Sequence, residues 1–308
     1  MRATNRSAFG IFTAVIVLFA ALAVLVARRT SVMMTGEAER TVKSVVKETT
    51  ALINQQLLAV ETATRNFAWV VGEHLEDSDY MYRITRKLVE NNEYIGGSAI
   101  AFVPDFYKER GRLYAPYTCV STNGQMKSFP LPYDYSVQEW YCEAKDRKTA
   151  RWCEPYFDKG GGGVMMCTFS VPLTNETGQV YAVLTADVSL SGVAEYISSI
   201  CPYPQSYAVM TSCAGKYLVE PPQGRTLERN EKAITIREKT DNGWVVAIVC
   251  PLEDILKESR RLVAFVVLFA IIGLLIIIPV SWIHITRLQR ESVVRDWVAN
   301  KLEAAVNE

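Results

Sequence analysis

The stretch Val164-Met165-Met166-Cys167-Thr168-Phe169-Ser170-Val171, followed after Thr174-Asn175-Glu176-Thr177-Gly178 by Gln179-Val180-Tyr181-Ala182-Val183-Leu184-Thr185-Ala186-Asp187-Val188, decides the fold. Two runs rich in β-branched, aromatic and methionine side chains flank a cluster of turn residues, which predicts an antiparallel hairpin. By alternation, Asp187 shares a strand face with Tyr181, Val183 and Thr185. A carboxylate on so apolar a strand needs a partner or a cation, because an unpaired buried charge is very costly. The competing reading is that Asp187 caps the helix predicted from Ser189 to Ile200.

Upstream of the hairpin, Gly96-Gly97 precedes a strand-like run from Ala99 to Val103, stopped by Pro104-Asp105, and Leu113 to Ser121 reads as another strand. Downstream comes a smaller set, Tyr207 to Thr211, Lys216 to Val219, Ala233 to Arg237 and Trp244 to Cys250, with turns at Ala214-Gly215 and Asp241-Asn242-Gly243. Ahead of all these strands, Val42, Val46, Ile53, Leu57, Val60, Phe67 and Val71 recur at helical steps. They predict one amphipathic helix from about Gly36 to Leu75, roughly 60 Å long at 1.5 Å per residue. That exceeds one face of a small domain, so part of it is expected to meet a second copy; packing wholly within its own chain is the alternative.

Two uncharged apolar runs enclose everything, Ala8 to Ala27 and Leu262 to Ile283. About 20 residues of helix cross roughly 30 Å of hydrocarbon, and neither run carries the polar stripe of a core helix. Arg2 and Arg6 ahead of the first run, with Ala21-Leu22-Ala23 inside it, also suit a signal peptide; its length and its continuation into helix favour an uncleaved anchor. Arginines flank both edges of both runs, so charge does not orient the loop. The expected division is a cytoplasmic terminus at 1–7, spans at 8–27 and 262–283, a stalk helix at 28–77, subdomains at 78–190 and 191–258, and a signalling helix at 284–308. In that last segment Val294, Val298, Leu302 and Ala305 form a short stripe suited to a coiled coil.

The 308 residues carry 33 basic and 33 acidic side chains, and this balance makes no electrostatic case for nucleic acid. Seven cysteines occupy the loop without a CxxC pair, and only His74 and His284 accompany them, so neither a metal centre nor a cofactor is expected. Buried thiols and disulfides both remain open readings; a single bridge would best join Cys142 to Cys153. No Ser/His/Asp set can be assembled, and the chain is read as non-catalytic.

The run Trp152-Cys153-Glu154-Pro155-Tyr156-Phe157-Asp158, the glycines 160 to 163, Met166 to Pro172, and Gly178 with Thr185 to Leu190 together resemble the extracytoplasmic double Cache sensor family. The resemblance implies an α+β fold, with two PAS-like antiparallel-sheet subdomains on a long N-terminal helix between two transmembrane helices. It also implies a loop outside the cell and both termini in the cytoplasm. Amino-acid-binding members use a Tyr, an Arg five residues on, a Trp-Tyr pair, a later Tyr and an Asp that closes the last strand. These positions fall here on Tyr133, Gln138, Trp140, Tyr141, Tyr156 and Asp187, with Glu143 where an aspartate is frequent. Gln138 departs from the pattern, since a neutral amide cannot form the charge-assisted fork of an arginine with a carboxylate. A cationic amine or neutral polar ligand becomes at least as plausible as an α-amino acid, with aromatic faces contributing about 0.5–2 kcal/mol each to an ammonium. Gly160 to Gly163 suits a plain loop or a lid.

Residues 298 to 305 resemble the linker helix of membrane-tethered serine phosphatases, and kinases and cyclases carry comparable helices. Three readings therefore stand. One is a sensor, a homodimer through the long helix, that binds a small molecule and signals to a cytoplasmic output. The second is the sensor portion of a split or truncated phosphatase or kinase, and the third a membrane-anchored structural protein.

Overall fold

A computed structural model describes residues 2–121, 123–158, 163–225 and 232–306. In chain order the helices are α1 (Arg2–Glu73), α2 (Tyr80–Glu90), α3 (Glu139–Arg147), α4 (Leu190–Ser199) and α5 (Leu252–Val306). The strands are β1 (Gly97–Phe102), β2 (Pro116–Val120), β3 (Met126–Pro130), β4 (Arg151–Trp152), β5 (Tyr156–Phe157), β6 (Met165–Thr174), β7 (Val180–Ser189), β8 (Tyr207–Thr211), β9 (Tyr217–Val219), β10 (Ala233–Lys239) and β11 (Val245–Pro251). Two compact units result, Glu39–Asp254 on one hand and Met1–Ala38 with Ile255–Glu308 on the other.

Within Glu39–Asp254 the larger sheet runs β3-β2-β1-β7-β6-β4, with β5 also paired to β6, and all its pairings are antiparallel. A second antiparallel sheet runs β10-β11-β8-β9. The β6–β7 turn is set by Asn175, whose Oδ1 accepts from the Thr177 and Gln179 amides at 3.1 and 2.9 Å, while Gly178 takes φ +76°. The ladder slips at Leu173/Thr174, and the extra residue turns Tyr181 away from the face of Val183 and Asp187. Its ring instead stacks on Phe106 at 5.9 Å, so the simple alternation fails at that end of β7.

One face of the larger sheet packs against helices. Ile100, Phe102 and Leu184 meet Val60 and Val71 of α1 and Met81, Ile84 and Leu88 of α2 in a single core. The stripe predicted on α1 is buried at Val42, Val46, Ile53, Leu57, Val60 and Val71, because 3.6 residues per turn brings those positions onto one side. The opposite face, through Ala101 and Val183, packs against Tyr135, Trp140, Tyr141 and Ala144. Trp152 ties the parts together: its Nε1 donates to Glu61 of α1 at 2.9 Å, and its ring meets Trp244 of the smaller sheet edge-on at 5.5 Å. All seven cysteines are free thiols. The proposed Cys142–Cys153 bridge does not form, since Cys142 Sγ donates to the Ser136 carbonyl and Cys153 Sγ accepts from the Thr168 amide.

In the other unit, α1 and α5 each contain a segment long and apolar enough to cross a membrane, by length and composition. Many of its large apolar side chains are exposed, Leu18, Phe269 and Leu275 to about two-thirds of their surface.

Candidate ligand pocket

The site grows from one rung of the larger sheet. Asp187 of β7 lies directly opposite Thr168 of β6 on one side and Gly97 of β1 on the other. Thr168 Oγ1 donates to Asp187 Oδ1 at 2.7 Å and lies 2.8 Å from the Tyr156 hydroxyl. Because Gly97 has no side chain, Tyr117 of β2 reaches across it and hydrogen-bonds the same carboxylate. A Cβ at Gly97 would lie 2.5 Å from the Tyr117 hydroxyl and 2.7 Å from Asp187 Oδ2, so this close approach requires glycine.

Tyr133, Trp140 and Asp158 complete the pocket with Leu131, Ala99 and Thr185. Asp158 and Asp187 are both buried, while Lys and Arg are absent among the described residues that line the cavity. The space left between these walls is close to that of one water molecule, so a larger guest needs the rings to part. Burial pushes the Asp187 carboxyl up to about 6; the Thr168 bond opposes that rise, the nearby Asp158 carboxylate adds to it, and the Tyr117 bond opposes it again. Burial likewise drives the Tyr117 and Tyr156 hydroxyls far above their ordinary range, so both are fixed as hydrogen-bond donors.

The structure brings Tyr133, Trp140, Tyr156 and Asp187 together, and places Gln138, Tyr141 and Glu143 away from this cavity. Gln138 is the N-cap residue of α3, and its side-chain amide reaches the Asp134 carbonyl at 3.4 Å. Tyr141, one residue beyond Trp140, turns about 100° around α3 into the core against Tyr135. Glu143 accepts from Arg147 at 2.9 Å and pairs with Arg151 at 2.6 Å, at a polar cleft beyond Trp140. Asp187 makes no cap: Ser189 is the N-cap of α4, without a side-chain cap bond. Gly160 to Gly162 lie outside the described residues.

Tyr117, Asp158 and Thr168 escaped the reading from sequence. Asp158 and Thr168 lay inside the motif quoted for the resemblance. Tyr117 was signalled only by the glycine that β1 sets beside it.

Residues 81–195 match the family described as methyl-accepting chemotaxis protein-like, first PDC sensor domain. The methyl-accepting chemotaxis protein PscA of Pseudomonas syringae pv. tomato (strain ATCC BAA-871 / DC3000) is 31% identical over 121 residues, which are 38% of this chain and 19% of PscA. The chain thus spans about a fifth of that curated relative. The periplasmic sensory domain of the Campylobacter jejuni chemoreceptor Tlp1 superposes with a TM-score of 0.62 at 13% identity, covering 73% of this chain and 98% of that one. The extracellular domain of soHK1S-Z6, classed provisionally as a histidine kinase, gives 0.61 at 18% identity, covering 74% and 98%.

The chain therefore carries a sensor domain of the Cache, or PDC, class, with the two-sheet fold on a long helix. More particularly, its larger sheet lies within the residues that match the first PDC sensor domain of methyl-accepting chemotaxis protein-like receptors. Such domains are non-catalytic sensor modules. These relatives lend no support to the phosphatase resemblance of residues 298–305.

Proposed function

We propose that this chain is a two-pass membrane sensor whose Glu39–Asp254 unit lies outside the cytoplasm and binds a small monocationic amine at Asp187. The observation that carries the ligand class is a buried pocket of two carboxylates and four aromatic rings, with Lys and Arg absent from its described walls. An ammonium entering it gains the Asp187 charge together with the faces of Tyr133, Trp140 and Tyr156. A carboxylate would meet like charge, with Lys and Arg absent from the described lining to pair with it.

Signalling follows from what the pocket touches. Thr168, bonded to Asp187 through its side chain, donates its amide to Cys153 Sγ at 3.2 Å; the neighbouring Trp152 grips Glu61 on α1 and Trp244 on the smaller sheet. A ligand that favours one setting of Thr168 over another biases both contacts, and only that differential affinity moves the output. On α1, Leu58 and Trp69 leave 64% and 62% of their surface exposed on the side away from the buried stripe, and they support pairing of two copies through this helix. The output is a cytoplasmic signalling partner reached through α5.

A thermal-shift screen of the full chain in nanodiscs tests the ligand class, with primary amines, α-amino acids and organic acids as three arms. Stabilisation by amines that is lost in Asp187→Asn is expected. Stabilisation by organic acids alone would rule the proposal out.

A further inference from the structure

The strand that presents Asp187 to one cavity presents its neighbour to another. Successive β-strand side chains point to opposite faces. Val188 thus lines a separate cleft, together with Leu57 and Val60 of α1, Val193 of α4 and the Trp244 ring. This cleft holds about 310 Å³ and opens to solvent, whereas the Asp187 pocket has room for about one water molecule. Its size falls in the range of small-molecule sites, and its floor is aliphatic with one indole wall. At the rim stand Tyr94 and Glu93, both exposed. Among the described lining residues Glu93 is the one charged group, so the cleft complements a cation with an apolar body and opposes an anion.

We propose that this cleft is a second small-molecule site, for a monocation with an aromatic body. The apolar part lies against Val60, Val193 and Trp244, and the charged end meets Glu93. An occupant touches α1, α4 and the β10–β11 turn at once, and so ties the two sheets to the long helix. The two sites also share a wall. Gly96 borders the cleft and donates its amide to the Asp187 carbonyl at 2.8 Å, while Gly97 borders the Asp187 side chain. Displacing Val188 or Gly96 shifts the backbone that aims Asp187, so occupancy of either site alters affinity at the other, by the same factor in both directions. The cleft stands independently of the amine reading of the Asp187 pocket; only the coupling rests on it.

Photolabelling of the full chain in nanodiscs with 2-(4-azidophenyl)ethylammonium, mapped by mass spectrometry, separates the two sites. Labelling of peptides spanning 53–60 or 188–196 is expected, displaced by excess 2-phenylethylammonium and retained in Asp187→Asn. Val193→Trp, which fills the cleft, lowers it at least tenfold, and Glu93→Gln, an exposed change that leaves the packing intact, lowers it several-fold. Labelling confined to 131–158, or not displaced by the competitor, or unchanged in Val193→Trp overturns the site; should Val193→Trp not fold, unchanged labelling in Glu93→Gln does so. Amine binding lost in Asp187→Asn while cleft labelling persists counts for both sites. Cleft labelling without any Asp187-dependent binding removes only the first.

Discussion

Replacing Asp187 by asparagine makes the protein more stable near neutral pH while abolishing its proposed ligand chemistry. The carboxyl is raised from 3.8 to about 6 by burial, with Asp158 adding to the rise and the Thr168 and Tyr117 bonds opposing it. Between about pH 4 and 6 the folded chain therefore holds a proton that the unfolded chain has released. With more protons on the folded state, stability falls as pH rises through that window, by about 3 kcal/mol in all. Asparagine has no proton to lose and removes the slope. It also exchanges one acceptor oxygen for a donor facing Thr168 or Tyr117, a mismatch of about 1 kcal/mol. The net gain at pH 7.5 is about 2 kcal/mol, or roughly 4–8 °C in Tm for a unit of this size. At pH 4.5 most of that advantage disappears. Tryptophan-fluorescence melts of the full chain and Asp187→Asn in nanodiscs at the two pH values measure both quantities. Parallel pH dependence in the two proteins, or a variant less stable at pH 7.5, would refute the reasoning.

Gly97→Ala drives a methyl into the Tyr117 hydroxyl and Asp187 Oδ2; it is expected to cost about 1–3 kcal/mol by overpacking and to lower amine affinity more than tenfold, read by melting and calorimetry. Cys213 is the exposed thiol, so a membrane-impermeant maleimide added to intact cells should label it, and Cys213→Ser should remove the signal. Labelling that needs permeabilised cells places the sensing unit on the wrong side.

The parts of the fold legible in sequence are those with strong local rules. Asn175 and Gly178 announced the β6–β7 hairpin, and the α1 stripe followed from its period. α3 was not legible, because Glu139–Arg147 mixes charge and aromatic residues with little periodicity and is held by Trp140 and Tyr141 packing under the sheet. The pocket divides the same way. Asp187 stood out as a lone charge on an apolar strand, whereas Tyr117 reads as an ordinary strand aromatic until β1 sets Gly97 beside it. Aligning residues along α3 by family pattern grouped Trp140 with Tyr141 and Glu143. The helical rotation of about 100° per residue sends Tyr141 into the core, and Glu143 faces the cleft beyond the Trp140 indole.

Calorimetric titration of the full chain with isobutylammonium and with its uncharged analogue isobutanol is the most direct test of a cation pocket built on Asp187. Saturable binding of the amine alone at pH 7.5 is predicted, about tenfold weaker at pH 5, where the carboxyl is mostly protonated, absent in Asp187→Asn and unchanged in Glu143→Gln. Equal binding of the alcohol, or an affinity that rises as the pH falls, would contradict it.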